Sequence, residues 1–187
     1  MSQEDKYKEI IRKEMAKLTK PVRLKVFTSQ RTEADGGKIK ACMDCGQFMA
    51  LLRIYEENSN GMLTIEELSI DNNPEFVKRY DIQRVPTILF INDDGRELIR
   101  YLAAPRGGEI QPFVQSLFTF AGAPNYYKAT IKQNLERIQP STIKVMITET
   151  CPYCPSVVST VSQFALASEG KIRTCLLYTS PSPRDRS

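Results

Sequence analysis

Two stretches of this sequence set paired thiols three residues apart, Cys42-Met-Asp-Cys45 and Cys151-Pro-Tyr-Cys154, and a fifth cysteine stands at Cys175. Each pair follows an apolar run with strand character, Val22–Phe27 in one case and Ile143–Ile147 in the other. Each also precedes a run that can coil: Phe48, Met49, Leu51, Leu52 and Tyr55 after the first pair, Ser156–Ala167 after the second. Two thiols at that spacing on the first turn of a helix can close a disulfide and open it again. The attacking species is the thiolate, which free amides and the dipole at a helix N-terminus stabilise, lowering a cysteine pKa from about 8.5 toward about 3.5–7.5. Cys42 and Cys151 are therefore expected to be exposed nucleophiles. Cys45 and Cys154, one turn deeper, would resolve the mixed disulfide. Asp44 puts a carboxylate beside the first pair, whereas Pro152 and Tyr153 bring no charge. The Cys151 pair is thus expected to be the more acidic and the more oxidising.

The elements that must position these thiols follow from pattern. Apolar residues at Tyr7, Ile10, Ile11, Met15 and Leu18 make one helical face over Ser2–Leu18, which Pro21 ends. After the strand Val22–Phe27, the polar stretch Thr28–Ala41 with Gly36-Gly37 reads as a loop. Met62–Ile70 is expected as a strand, Asp71–Tyr80 as a helix, and Arg84-Val85-Pro86-Thr87 as the entry to a further strand, Ile88–Ile91. Asn92-Asp-Asp-Gly95 turns the chain into Glu97–Leu102, and Gly107-Gly108 precedes a helix at Glu109–Phe120. Both glycine pairs read as turns, since neither has the spacing of a phosphate-binding loop.

Ala121-Gly-Ala-Pro124 then reads as a domain boundary, because beyond it the order begins again. Tyr127, Ile131, Leu135 and Ile138 form a helical stripe, Pro140 ends it, and a strand leads to Cys151. Helix, proline, strand, Cys-x-x-Cys, helix occurs twice, which implies an internal repeat. The units expected are 1–120, complete, and 121–175, partial. From Pro21 to Cys42 is 21 positions and from Pro140 to Cys151 is 11, so the first copy carries about ten extra residues before its thiols. By the same arithmetic, the counterpart of Pro86 would fall near position 195, past Ser187. Residues 176–187 show no strand or helix period and are read as a non-native or disordered tail on a truncated chain. Cys175 is expected as a buried strand residue.

Composition narrows the function classes. The 187 residues are 41% hydrophobic and 26% charged with a net charge of +4, ordinary values for a globular protein with a real core. No basic block or aromatic-interleaved basic stripe suggests nucleic acid, and no apolar run reaches the roughly 18 residues of a membrane span. The N-terminus lacks the basic and apolar regions of an export signal, so a cytoplasmic location is expected. Five cysteines there favour catalysis or metal over a structural disulfide framework. The chain has no histidine, which removes Cys–His and Ser–His–Asp catalysis and every zinc site that needs imidazole. No cofactor is expected.

With Cys-Pro-Tyr-Cys in the second of two repeated units, the chain resembles the protein disulfide oxidoreductases, or glutaredoxin-like proteins, of thermophilic archaea and bacteria. The resemblance runs from about Glu4 to Cys175. It is strongest at Thr150-Cys151-Pro-Tyr-Cys154-Pro155, at Arg84-Val85-Pro86-Thr87 and at Tyr101-Leu-Ala-Ala-Pro105. It implies an α/β fold of two tandem thioredoxin-like units, the second incomplete, each a central mixed sheet flanked by helices. It implies a cis proline at Pro86 beside the first thiol pair and substrate backbone contact at Val85. It also implies exchange of disulfides with protein substrates, with thioredoxin reductase and peroxiredoxin as partners. Two other readings remain open: a four-thiolate structural zinc site, and a redox-inactive interaction module on the same scaffold.

Overall fold

The computed structural model describes residues 3–32, 38–40, 42, 45–102, 105, 107–148 and 151–178. Helix α1 (Gln3–Met15) leads into β1 (Val22–Thr28), a short β2–β3 pair (Gln30–Thr32 and Lys38–Lys40), α2 (Cys45–Glu57) and β4 (Leu63–Ser69). Then come α3 (Pro74–Arg79), β5 (Thr87–Ile91), β6 (Glu97–Tyr101), a 3-10 turn at Gly107–Glu109 and α4 (Ile110–Phe120). The remainder is α5 (Lys128–Asn134), β7 (Ser141–Ile147), α6 (Cys154–Ala167) and β8 (Ile172–Tyr178). Six strands form one mixed sheet in the order β4-β1-β5-β6-β8-β7. Only β5 runs against the rest: it pairs antiparallel with β1 and β6, while β1–β4, β6–β8 and β7–β8 are parallel.

Two stretches of the sheet have a βαβ order. β1, α2 and β4 correspond to β7, α6 and β8, with Val22 opposite Leu63 in one and Ser141 opposite Ile172 in the other. The turn from helix to second strand is the same in both. Asn60 and Gly61 adopt φ of 51° and 76°, and Glu169 and Gly170 adopt 54° and 82°. Inside each turn a buried serine takes over the hydrogen bonds that the backbone leaves open. Ser59 Oγ accepts from the Leu63 amide at 3.0 Å and donates to the Glu56 carbonyl; Ser168 Oγ accepts from the Ile172 amide at 3.0 Å and donates to the Ala165 carbonyl.

The two halves do not build separate sheets. β6 pairs with β8 through Ile99–Thr174, Arg100–Cys175 and Tyr101–Leu176, and the Leu102 amide extends the ladder to the Leu176 carbonyl at 2.9 Å. Left apart, each strand would present an unpaired edge. The expected boundary at Ala121–Pro124 is correspondingly no loose linker. Ala121 is fully buried, its carbonyl accepts from Thr19 Oγ1, and the Ala123 amide bonds the Phe118 carbonyl.

One apolar cluster lies under α1, α2, α4 and α6, and includes Leu24, Phe90, Leu117, Val158 and Leu176 from both halves. Phe90 joins it to α4, its ring 5.9 Å edge-on to Phe113 and 6.1 Å from Tyr101. A smaller cluster of Phe27, Leu68, Tyr80, Ile82 and Leu89 lies on the other face of the sheet, with Phe76 and Val77 of α3 packed on it.

Three expectations are corrected. The stretch 28–41 is not all loop, since β2 and β3 form an antiparallel ladder in it; the glycine pair between them lies outside the described residues. Ile10 points outward, 59% exposed, because Ile11, Met15 and Leu18 already fill the face that α1 turns to the core. The stretch read as tail begins inside a strand: β8 continues to Tyr178, and Leu176 is fully buried because Val145 and Tyr101 flank it in the sheet.

Replacing Ser59 or Ser168 by alanine should leave a strand amide buried without a partner. Each change should cost about 1–3 kcal/mol, read from urea unfolding.

Candidate functional site

Parallel strands put their carboxyl ends together. The C-terminal ends of β1, β4, β6, β7 and β8 and the start of β5 therefore share one edge of the sheet, the place where open α/β sheets bind ligands. Both thiol pairs arise there, each at the helix that follows a strand.

At the second pair, the chain leaves β7 and turns back on itself, with the Cys151 amide bonding the Thr148 carbonyl at 3.1 Å. Helix α6 begins at Cys154, with Pro155 in its first turn. Cys151 is half-buried and Cys154 is 8% exposed, and both are free thiols. The Cys154 amide donates to Cys151 Sγ at 3.2 Å. The hydrogen bond from the Cys154 thiol, with help from the Tyr153 and Cys154 amides, holds the Cys151 pKa below its ordinary value. Burial, and then the bond to Cys151, push Cys154 up. The pair is polarised: a half-buried sulfur that carries charge more readily, and a covered one that holds its proton more tightly.

At the first pair, Cys42 and Cys45 are joined in a disulfide with Cα atoms 5.4 Å apart. Cys42 is half-buried, and Cys45 is fully buried at the start of α2. Asp44 and its expected effect on these thiols lie outside the described residues. The chain enters this loop from a fixed point: Asp71 accepts from the Gln30 amide at 2.9 Å and from Ser29 Oγ at 3.1 Å, bonds that hold its carboxyl below the usual range. The Val85–Pro86 peptide bond is cis. Thr87 pairs with Phe27, so half-buried Val85 and buried Pro86 lie at the carboxyl end of β1, where the chain departs toward Cys42.

Among the described residues no three cysteine or acidic side chains converge as a metal site. Cys175 is half-buried on β8 between Arg100 and Lys144, with burial raising its pKa and the Arg100 guanidinium opposing that rise. No helix of the described residues is long and apolar enough to cross a membrane.

Sequence patterning passed over one residue of this edge. Glu109 is 3% exposed, and its Oε2 is buried without a hydrogen-bond partner among the described residues. It ends the 3-10 turn whose Gly108 lies against Pro155, a Cβ there falling 3.3 Å from Pro155 Cγ. Burial holds its carboxyl above the usual range. Its charge raises the pKa of both Cys151 and Cys154, and adds to the burial that drives the Tyr101 phenol upward. A signal was present: Glu109 falls at helical spacing with Pro112, Phe113 and Leu117, which puts a carboxyl on a largely apolar face.

Several solved structures share this architecture, three of them as follows. A protein disulfide oxidoreductase from Aeropyrum pernix superposes with a TM-score of 0.78 over 100% of this chain and 78% of its own, at 20% identity. The chain has a thioredoxin-like α/β fold. The alkylhydroperoxide reductase AhpF from Enterococcus faecalis matches over 92% of this chain and 78% of its own, with a TM-score of 0.74 and 19% identity. Sso1120 from Sulfolobus solfataricus matches over 96% and 86%, with a TM-score of 0.60 and 15% identity. No family model and no curated protein matches the sequence.

Alkylation followed across pH by mass spectrometry should give Cys151 a midpoint below that of a free thiol and Cys154 one above it. An equal pair would contradict the polarisation. Because the folded state raises the Glu109 carboxyl, the stability this group contributes is complete below the unfolded pKa of about 4.3 and is lost as pH rises through the folded value. Glu109→Gln should remove that decline from the urea midpoint.

Proposed function

We propose that the protein is a thiol–disulfide oxidoreductase acting on protein substrates through Cys151 and Cys154, with Cys42 and Cys45 as a second couple. The observation that carries this reading is the polarised pair at the start of α6, with a half-buried Cys151 accepting an amide and Cys154 covered behind it.

The Cys151 thiolate attacks one sulfur of a client disulfide. A mixed disulfide forms, and the client's other sulfur leaves as a thiolate that takes a proton from water. Cys154 then gives up its proton, with the Glu109 carboxylate as acceptor, and attacks Cys151 Sγ. The client departs as a dithiol, and Cys151–Cys154 is left as a disulfide, two electrons oxidised. An external dithiol returns those electrons; the reverse sequence oxidises a client. At the first couple, Cys42 would attack, Cys45 would resolve, and Val85 and Pro86 would shape the ground where a client backbone lies.

On this reading, residues 1–120 are one thioredoxin-like unit and the βαβ of 121–178 begins a second, the two sharing a sheet. The exchange partners on this reading are a peroxiredoxin-type system, the kind of chemistry that the name of the alkylhydroperoxide reductase AhpF points to, and a thioredoxin reductase, with the cytoplasm as the compartment. A redox-inactive module would not require a free thiol with a lowered pKa beside a buried partner.

Insulin reduction driven by dithiothreitol tests the proposal. Cys151→Ser, in a Cys42→Ser background, should abolish turnover. Cys154→Ser should accumulate a mixed disulfide with insulin, visible on a non-reducing gel. Glu109→Gln should slow resolution about tenfold or more, as loss of a positioned base does, while the first attack persists. Full activity without Cys42 and Cys151 would end the proposal.

A further inference from the structure

Helices α4 and α6 leave between them a groove of about 650 Å3. Gln111 and Gln115 line it from α4, Ser159 and Gln163 from α6, and Asn125 and Tyr126 close its far end. Its near end is Pro155, the residue after the second thiol pair. Among the described residues, none of its lining side chains carries a charge. The far end is fixed: Asn125 Nδ2 donates to the Gln163 carbonyl at 2.8 Å, and the Tyr126 amide donates to Gln163 Oε1 at 3.0 Å. Tyr126 nonetheless stands 85% exposed, backed by an edge-on stack in which its ring lies 5.0 Å from Tyr127 and Tyr127 lies 4.7 Å from Phe164.

We infer that this groove receives an extended, uncharged segment of the disulfide-bearing polypeptide whose cystine meets Cys151. The inference rests on the proposed function and adds where the client lies. Amide side chains match the alternating donors and acceptors of an extended backbone. An ionic segment would find no counter-charge there and would lose hydration without compensation. A rigid tyrosine offers contact area at little entropic cost, as binding surfaces use it. From Pro155 to Gln163 the helix rises about 12 Å at about 1.5 Å per residue. That is room for about three or four extended residues at about 3.3 Å each. The groove starts one residue past Cys154, so a segment lying in it brings its neighbouring sulfur to the start of α6.

The test uses the full chain in a Cys42→Ser background and two substrates. One is a peptide with an intramolecular disulfide flanked by uncharged residues; the other is 2-hydroxyethyl disulfide, too small to span the groove. Tyr126→Ala should raise KM for the peptide about tenfold, the loss expected of one truncated aromatic anchor, with kcat and the rate on the small disulfide as reference for the chemistry. Tyr126→Trp should restore that KM. The chain has no tryptophan, so in a further Cys151→Ser variant its fluorescence should shift as the peptide binds without reacting. An unchanged peptide KM in Tyr126→Ala, or an equal loss on both substrates, overturns the inference while the redox proposal stands. If the parent exchanges with neither substrate, the redox proposal fails and takes this one with it.

Discussion

The parallel pairing of β6 with β8 is the constraint on which the rest of the structure depends. Three residue pairs and one further amide join the first half of the chain to the second, and turn two strands that would each be an edge into the interior of one sheet. Because the pairing is parallel, the carboxyl ends of strands from both halves face the same way. Cys42, Pro86 and Cys151 are thereby placed along one edge, and Glu109 follows from the same end of β6. The pairing also brings α4 against α6, so that Leu117 and Val158 belong to one apolar core drawn from both halves.

At that edge the protein sets two sulfurs in unlike surroundings. Cys151 receives hydrogen bonds at a helix start, and Cys154 is covered by the helix it begins. Desolvation disfavours charge at the inner sulfur, and amide donors favour it at the outer one. The two effects act in opposite directions three residues apart. A buried carboxyl beside them is costly for folding, since among the described residues Glu109 Oε2 has no partner to offset its lost hydration. Its place on the apolar stripe of α4 is therefore better explained by the site than by stability. The Tyr101 phenol, buried near the Ser116 and Ser162 hydroxyls, shows that polar groups are tolerated between the halves.

The surroundings of the Cys151 pair differ from the strand ends around Pro86 toward which the chain of Cys42 departs. Its near neighbour is the groove between α4 and α6, lined by amides and an exposed tyrosine. Since α4 belongs to the first half and α6 to the second, the surface beside the second pair is furnished in part by the first half of the chain. Fusing the halves thus does more than bury apolar area: it gives one thiol pair walls drawn from both.

Local pattern alone determined the paired thiols and the helix starts that hold them, the repeated βαβ order, and the strand that opens after Val85–Pro86. These were legible because helix and strand periodicity, and prolines that stop a helix, act within about a turn of where they stand. The short β2–β3 ladder was hidden because its polar residues give no burial pattern, and Leu176–Tyr178 because three residues are too few to show a period. Only the tertiary structure decided that the halves share a sheet, that Ala121 is core and that Glu109 stands beside the second thiol pair. Each of these depends on contacts between residues far apart in sequence. Burial, which sets the charge a carboxyl or thiol can carry, is a property of those contacts and not of any stretch of chain.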